Sequence, residues 1–176
     1  PGLRRQVERG AWLPAQVTAA YSRLVAGLLA VIFEAADTAS DPAISRLLVG
    51  LFNFMQHKEL AGQERAAGGA LFASGLADEA GQQRLLYLIE SQERALEVFA
   101  QFAPPEAVAL WRQHDAQGAQ AALERMRRIL CTAGPAGALD PGLSQHWFDT
   151  CSERMEAMRG VEEHLVRTLR ALCEQR

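Results

Sequence analysis

A short run of charged and amide side chains, residues 58–66 (KELAGQERA), lies inside a long segment whose apolar residues follow a helical period. Lys58 and Arg65 are placed at the flank of the apolar stripe. The stripe consists of Leu48, Leu51, Phe52 and Met55, and the same period continues to Glu59, Gly62 and Ala66. Ionisable groups at a helix–helix seam must be paired or must bind something. The run therefore predicts an ionic site between helices.

A second charge interrupts the apolar seam predicted for the last helix. This seam follows alternating spacings of four and three through Trp147, Cys151, Arg154, Met158, Val161 and Leu165. Arg154 is then either buried and paired, or it extends along the edge of the bundle with its charged end in water. Pairing with a structural carboxylate such as Glu59 or Glu64 and binding of an anion both stay open at this point.

Other kinds of chemistry find less support in the sequence. Metal sites in helical bundles use Glu-x-x-His pairs, and none of the four histidines has a glutamate three residues before it. His57 and His146 are predicted to be partly exposed polar residues. We find no phosphate-binding loop, nucleophile elbow or catalytic carboxylate pair. The sequence therefore predicts no metal and no other cofactor, and a module that is not an enzyme.

The basic residues Arg125, Arg127 and Arg128 are predicted to form a solvated helix face. Apolar residues alternate with them and provide the core face of the same helix. The net charge of −3 gives no reason to expect a polyanionic partner. We therefore expect no direct binding of nucleic acid by this chain.

Helical periodicity accounts for almost the whole chain, and no segment alternates with the period of two that a strand requires. Asp41, Asp78 and Ser144 are predicted N-caps, and Gly75 is predicted to end the second helix. The predicted helices cover residues 13–36, 42–74, 78–101, 105–111, 119–131 and 144–176, with a loop at 132–143. The fold class is therefore all-α: an antiparallel bundle of long helices that is similar to a four-helix bundle.

Length and composition agree with one domain, since 176 residues can bury a sizeable core. The three cysteines lack metal-type spacing and predict free thiols in the cytoplasm. No apolar run is judged to approach the roughly 20 residues of a membrane span. Glycines inside the 42–74 helix are unfavourable, so its small-residue face at Gly62, Ala66 and Gly69 is predicted to pack closely on a neighbouring helix.

Residues 48–75 (LVGLFNFMQHKELAGQERAAGGALFASG) resemble the central segment of the nitrate- and nitrite-sensing (NIT) domain family. The shared features are the Lys-Glu-x-Ala-Gly-Gln-Glu-Arg-Ala run, the small residues after it and Phe-x-x-Gly. Weaker resemblances lie at residues 21–32 and 147–161. Together they cover most of residues 3–170, in the order of the family.

This resemblance implies a sensor that binds nitrate or nitrite, small inorganic anions, between bundle helices and signals to an output domain in cis. A homodimer is possible, and no membrane is expected as a partner. The family has further N-terminal helices, and residues 6–10 fit the end of a preceding helix better than the family's arginine motif there. We therefore expect residues 1–176 to be a single sensor domain, a fragment without those N-terminal helices.

The resemblance also implies that arginines of the bundle hold the anion. Arg154 is predicted as the direct ligand, Arg65 as a second contact and Lys58 as a point charge at the rim. The predicted supporting residues are Glu59, Gln63, Glu64 and Trp147. The alternative is a ligand-free helical interaction or dimerisation domain, in which the charged run is a structural ion-pair network.

Overall fold

The computed structural model describes residues 2–115, 119–133 and 137–175. About 87% of these residues are helical, and the single β feature among them is an isolated antiparallel bridge between Leu76 and Ala138. The seven helices of the described residues are α1 (Gly2–Glu8), α2 (Pro14–Thr38), α3 (Pro42–Ser74), α4 (Glu79–Phe102), α5 (Pro105–Asp115), α6 (Ala119–Thr132) and α7 (Leu143–Glu174). The predicted all-α class is confirmed.

Local sequence signals set the ends of α3. The Asp41 carboxylate accepts hydrogen bonds from the backbone N–H groups of Ala43 (2.8 Å) and Ile44 (3.2 Å), and Pro42 occupies the first turn. Gly75 ends the helix with φ +71°, a left-handed conformation that side chains disfavour. Both predicted ends of this helix, residues 42 and 74, are confirmed.

The start of the last helix differs slightly from the prediction. Helix α7 begins at Leu143, one residue before the predicted Ser144 cap, and no side chain caps it. The Ser144 hydroxyl donates instead to the Gly69 carbonyl of α3, at 3.5 Å. Within the predicted loop, residues 134–136 lie outside the described residues.

Helix α3 is the centre of the bundle and packs against α4, α7 and α2, while α5 and α6 pack on α7. Its most buried positions are Leu47, Leu48, Gly50, Leu51, Phe54, His57, Ala61, Glu64, Gly68 and Phe72. The predicted stripe through Glu59, Gly62 and Ala66 is therefore wrong in phase: Glu59 and Gly62 are half-buried and Ala66 is exposed. Because α3 has neighbours on three sides, its apolar residues do not mark one narrow face.

The close approach predicted for the small residues of α3 occurs at Gly68. A Cβ atom at Gly68 would lie 2.4 Å from the Trp147 ring, whereas one at Gly69 would lie at an ordinary 3.8 Å. Trp147 is fully buried and its indole N–H donates to the Arg65 carbonyl at 2.9 Å. The absence of a side chain at Gly68 thus lets α7 seat its tryptophan directly on α3.

Most of the buried apolar residues form two clusters. On each of three helices, a polar residue stands along the helix between a member of one cluster and a member of the other. On α3, Glu64 separates Ala61 of one cluster from Phe72 of the other; on α7, Arg154 separates Met158 from Cys151. On α4, Gln92 likewise falls between Leu85 and Phe99. All three polar side chains are buried. The bundle therefore carries a polar layer through the middle of its core.

Helix α2 packs mainly on α3 and leaves much of its apolar surface exposed. Its large exposed apolar residues include Leu24, Leu28, Val31 and Phe33, each more than half exposed. The helix has an 18-residue window of mean hydropathy 1.5 and is long and apolar enough to cross a membrane by length and composition alone. The expectation that no segment approaches such a length is therefore wrong for α2.

Candidate functional site

The polar layer is organised around the carboxylate of Glu64. Arg127 of α6 grips both oxygens, with Nε–Oε1 at 2.6 Å and Nη2–Oε2 at 2.7 Å. The Gln92 amide also donates to Oε2 at 2.7 Å. Burial works against the Arg127 charge, but the hydrogen bonds and the charge of Glu64 outweigh it, and the pKa of Arg127 is raised. Both oxygens of Glu64 thus accept hydrogen bonds from Arg127, in a bidentate pair.

His57 lies on the other side of Gln92 and is fully buried. Its Nδ1 is 3.1 Å from the Gln92 carbonyl oxygen, so Nδ1 carries the proton and donates. The second ring nitrogen, Nε2, then accepts from Nη2 of Arg154 at 3.4 Å. Burial first, and the neighbouring Arg154 charge second, lower the pKa of His57 to about 3. The imidazole is therefore neutral near neutral pH.

Arg154 is the second buried arginine, and only part of its guanidinium is bonded. Nη1 donates to Oε1 of Gln92 at 3.0 Å, and the guanidinium carbon lies 5.6 Å from the centre of the Trp111 ring. Within the part of the chain that the structure describes, the Nε group has no hydrogen-bond partner and faces Oδ1 of Asp115 at 3.8 Å, too far for a hydrogen bond. Burial first, and the Arg127 charge second, lower the pKa of Arg154. A guanidinium has five N–H donors, and this one retains unused capacity.

The unused side of Arg154 borders a cavity of about 90 Å³. Because one water occupies about 30 Å³ in the liquid, the cavity has room for a few water molecules or for a four-atom ion. Three of the polar atoms around it are buried without a hydrogen-bond partner in residues 2–115, 119–133 and 137–175: Arg154 Nε, Asp115 Oδ1 and Gln120 Oε1. Its lining comprises Trp111, His114 and Asp115 of α5, Gln120 of α6, and Glu153, Arg154 and Ala157 of α7.

A larger cavity, about 550 Å³, lies elsewhere, around Pro104 and Pro105 at the junction of α4 and α5. Its two arginines, Arg46 and Arg112, are exposed, and Arg46 already donates to the Gln101 carbonyl. Water competes for such exposed charges and weakens their interactions. The small cavity beside Arg154 is therefore the better candidate for binding a small charged ligand.

The structure does not bring Lys58 and Arg65 to this cavity. Lys58 forms an ion pair with Glu162 of α7, and both side chains are partly exposed. Arg65 donates to the Ser152 hydroxyl at 2.9 Å and stacks on the Phe148 ring with its guanidinium carbon at 4.8 Å. Both residues tie α3 to α7 outside the polar layer.

Two predicted supporting residues form a separate polar cluster that joins α2, α3 and α4. Glu59 accepts from the Ser22 hydroxyl at 2.6 Å and from the Gln63 amide at 3.0 Å. The Gln63 oxygen in turn accepts from Arg84 at 2.9 Å. Neither Glu59 nor Gln63 contacts Arg154, so the predicted orientation of a site guanidinium by Glu59 is wrong; Glu64 takes part in the layer instead.

Two other expectations are corrected by the same layer. Arg127 was predicted on a solvated face but is largely buried against Glu64, while Arg125 and Arg128 are exposed as expected. His57 was predicted to be partly exposed but is completely buried. Of the two arrangements left open for Arg154 at its seam position between Cys151 and Met158, the structure shows burial, with 8% of the residue exposed.

No pattern in the sequence predicts that Gln92, Asp115 and Trp111 belong to a site. Gln92 is a polar residue on the buried face of α4, and this position was the one available signal. Asp115 ends α5, and no periodicity constrains it. Cys151 also borders the layer; burial first, and Glu64 second, raise the pKa of its thiol to about 12, so it stays protonated.

The described residues thus define a class of protein: a helical bundle with a buried ionic layer and a small polar cavity beside an incompletely bonded arginine. A sequence profile described as nitrate and nitrite sensing matches residues 1–170. The chain belongs to this family of nitrate- and nitrite-sensing domains, as the resemblance of residues 48–75 predicted.

Two relatives agree with this assignment. The chain is 36% identical over 167 residues to a nitrate regulatory protein of Klebsiella oxytoca, covering 93% of this chain and 41% of that protein. It also resembles the solved structure of the NasR transcription antiterminator, with a TM-score of 0.88 and 32% identity over 98% of this chain and 46% of that one. The chain therefore spans less than half the length of either relative.

Proposed function

We propose that this domain senses nitrate or nitrite by binding the anion in the cavity beside Arg154. The observation that supports the proposal is the difference between the two buried arginines. Arg127 donates to both oxygens of Glu64, whereas Arg154 has a buried Nε–H group that finds no partner among the described residues, next to a polar cavity. Unbonded donors of a buried cation are costly, and a small anion would satisfy them.

The chemistry of the anion suits such a site. Nitrate is planar and presents its oxygens in the arrangement that a guanidinium fork bonds with two parallel hydrogen bonds. The ion is small, so its affinity must come from charge-assisted bonds rather than from contact area. Trp111 and Ala157 supply an apolar wall of the cavity, and a charge-assisted bond is stronger where water is excluded.

The other predicted residues support the site indirectly in this proposal. Lys58 and Arg65 bond to α7 at Glu162 and Ser152 and so fix the helix that carries Arg154. Trp147 does the same through its seat on Gly68. Glu64 holds Gln92, whose oxygen accepts from Arg154, and thereby orients the ligand guanidinium.

The signal would pass through the helices that line the cavity. Arg154 and Asp115 lie on α7 and α5, and an anion between them would change how these two helices pack. We propose that this change reaches an output domain in cis within a cytoplasmic regulatory protein. The proposal is compatible with either a monomer or a homodimer. The domain itself would act neither as an enzyme nor as a nucleic-acid binder.

Calorimetric titration of nitrate and nitrite into the full-length protein tests the proposal, with chloride and sulfate as controls. Saturable binding that favours the two nitrogen oxyanions supports a sensor. A folded sample that shows no heat with either oxyanion would support the alternative, a ligand-free interaction or dimerisation domain. The complete Arg127–Glu64–Gln92 network is the observation that favours this alternative, because it requires no ligand.

A further inference from the structure

Two atoms of opposite charge face each other across the candidate cavity without forming a hydrogen bond. Arg154 Nε and Asp115 Oδ1 are 3.8 Å apart, and each is buried with no hydrogen-bond partner among the described residues. A fully formed arginine–carboxylate pair has N–O distances of about 2.7–2.9 Å, as Arg127 and Glu64 nearly show. Asp115 is therefore close enough to neutralise Arg154 but does not satisfy its donor.

The charges of the layer limit what the cavity can accept. Arg127 and Glu64 neutralise each other, and His57 is neutral. Arg154 and an ionised Asp115 then complete a layer with no net charge. A monoanion that entered this arrangement would leave one uncompensated negative charge in a buried place, which is strongly unfavourable. All polar atoms of the anion are hydrogen-bond acceptors, and the same holds for an ionised carboxylate, so neither group can donate to the other.

We propose that Asp115 takes up a proton when the anion binds, and that its O–H group then donates to an oxygen of the anion while Arg154 donates to the same ion. This inference rests on the proposed function and adds its regulation: the anion and one proton enter together, and acidification tightens binding. The proton comes from solvent and ends on the Asp115 carboxyl oxygen, so the charge of the layer is unchanged.

The surroundings of Asp115 favour this exchange. Its side chain is one-third exposed, so solvent protons reach it, while part of the group is desolvated. Burial is the largest influence and raises the pKa of Asp115, against the opposing charges of Arg154 and Arg127. An anion on Arg154 would offset the nearest of those opposing charges and raise the pKa further.

Other titratable groups also face this region and must be separated from Asp115 in an experiment. Glu124 raises the pKa of Asp115 through its charge, and Glu153 and His114 line the same cavity. His57 and Glu64 belong to the layer behind Arg154. Glu153→Gln tests the second carboxylate of the cavity. Asp149 is exposed on α7 and is not among the residues that line the cavity, which makes Asp149→Asn the matched control.

The test is calorimetry of nitrate binding to the full-length protein in two buffers of different ionisation enthalpy, at about pH 7.5 and about pH 5.5. The difference in heat between the buffers gives the number of protons taken up with each anion. For the parent protein we expect an uptake approaching one proton at the higher pH and binding at least about tenfold tighter at the lower pH.

The Asp115→Asn variant should bind nitrate at least about tenfold more tightly at the higher pH, since its amide donates without a proton. Its uptake should fall to near zero, while Asp149→Asn should behave like the parent. A thermal melt establishes that the variants are folded, and proton uptake by the parent tests the idea without any variant.

Three outcomes would overturn the inference while leaving the sensor intact. They are nitrate binding by the parent without proton uptake, unchanged uptake in Asp115→Asn, or loss of the uptake in Glu153→Gln. Absence of nitrate binding by the parent and by Asp115→Asn at both pH values would instead overturn the proposed function, and the inference with it.

Discussion

The two buried arginines of this domain have the same side chain but different surroundings. Arg127 meets Glu64 through two short parallel hydrogen bonds, and Gln92 completes the carboxylate. Arg154 shares Gln92 but meets its own carboxylate, Asp115, only at 3.8 Å across a cavity. The comparison teaches that burial of a charge does not by itself indicate a binding site. Unused hydrogen-bonding capacity beside available space is the more informative property.

Breaking the complete pair should have the largest effect. In Glu64→Gln the Arg127 charge stays buried without a counter-charge, so we expect the free energy of unfolding to fall by about 3–5 kcal/mol. Chemical denaturation measures the loss. The matched control is Glu156→Gln, which removes an exposed ion pair in which Arg159 Nη1 lies 3.6 Å from Glu156 Oε1. Its loss of unfolding free energy should be below about 1 kcal/mol. If the two variants lose equal amounts of unfolding free energy, the buried Arg127–Glu64 pair is no more important for stability than an exposed ion pair.

Lowering the pH should destabilise the folded protein through His57, which lies beside Arg154 in the polar layer. The folded pKa of His57 is about 3, below its ordinary value of 6.5, so below pH 6.5 the unfolded chain binds a proton that the folded one refuses. Stability is thus lost as the pH falls from 6.5 towards 3, by about 2 kcal/mol between pH 6.5 and about pH 4.5.

Denaturation of His57→Gln over the same pH range should show a much flatter dependence. The control His146→Gln, at an exposed position, should keep the slope of the parent protein. A parent protein whose stability is constant over this range would mean that His57 is protonated in the folded state, beside the Arg154 charge.

A substitution at Gly68, where Trp147 packs on α3, tests how strictly the position of α7 is fixed. The Cβ of Gly68→Ala would lie 2.4 Å from the indole ring, and such overpacking costs about 1–3 kcal/mol. The control is Gly160→Ala on α7, whose added Cβ would meet no described atom within 4 Å; this variant should be neutral or stabilising by up to about 1 kcal/mol. Thermal melts compare them. A Gly68→Ala variant as stable as the parent would show that α7 can shift freely.

The smallest expected change in energy falls on the incomplete arginine. Arg154→Lys keeps the charge but loses the planar fork, so nitrate binding should weaken at least about tenfold, which is about 1.4 kcal/mol, with the fold retained. Arg159→Lys, on the exposed side of α7, serves as the control. If Arg154→Lys binds nitrate as the parent does, the anion is held elsewhere.

Much of the fold could be predicted because its signals are local. Asp41, Pro42 and Gly75 fix the ends of α3 through their own backbone preferences and hydrogen bonds. The spacing of apolar residues on α7 also predicted that Arg154 lies on the face that packs against the bundle. The prediction succeeded because the apolar residues of this helix are clearly separated by polar ones. The resemblance of residues 48–75 identified the family, which local chemistry alone would not have named.

The candidate site was harder to predict because its contacts are not local. Glu64 and Arg127 are 63 residues apart in the sequence, and Arg154 and His57 are 97 apart. On α3, apolar residues such as Leu47 and Leu48 are both buried, since different neighbours cover them. The phase chosen for that helix was therefore wrong by one residue. This shift moved attention to Glu59 and away from His57.

The polar layer also acts as a register mark for the bundle. A slide of α7 by one helical turn, about 5.4 Å, would carry Arg154 away from Gln92 and into one of the two apolar clusters. The cost of an unpaired buried charge forbids such a slide. Any movement that α7 transmits is therefore confined to less than one turn, a tilt or a small rotation about the Gly68–Trp147 contact rather than a change of register.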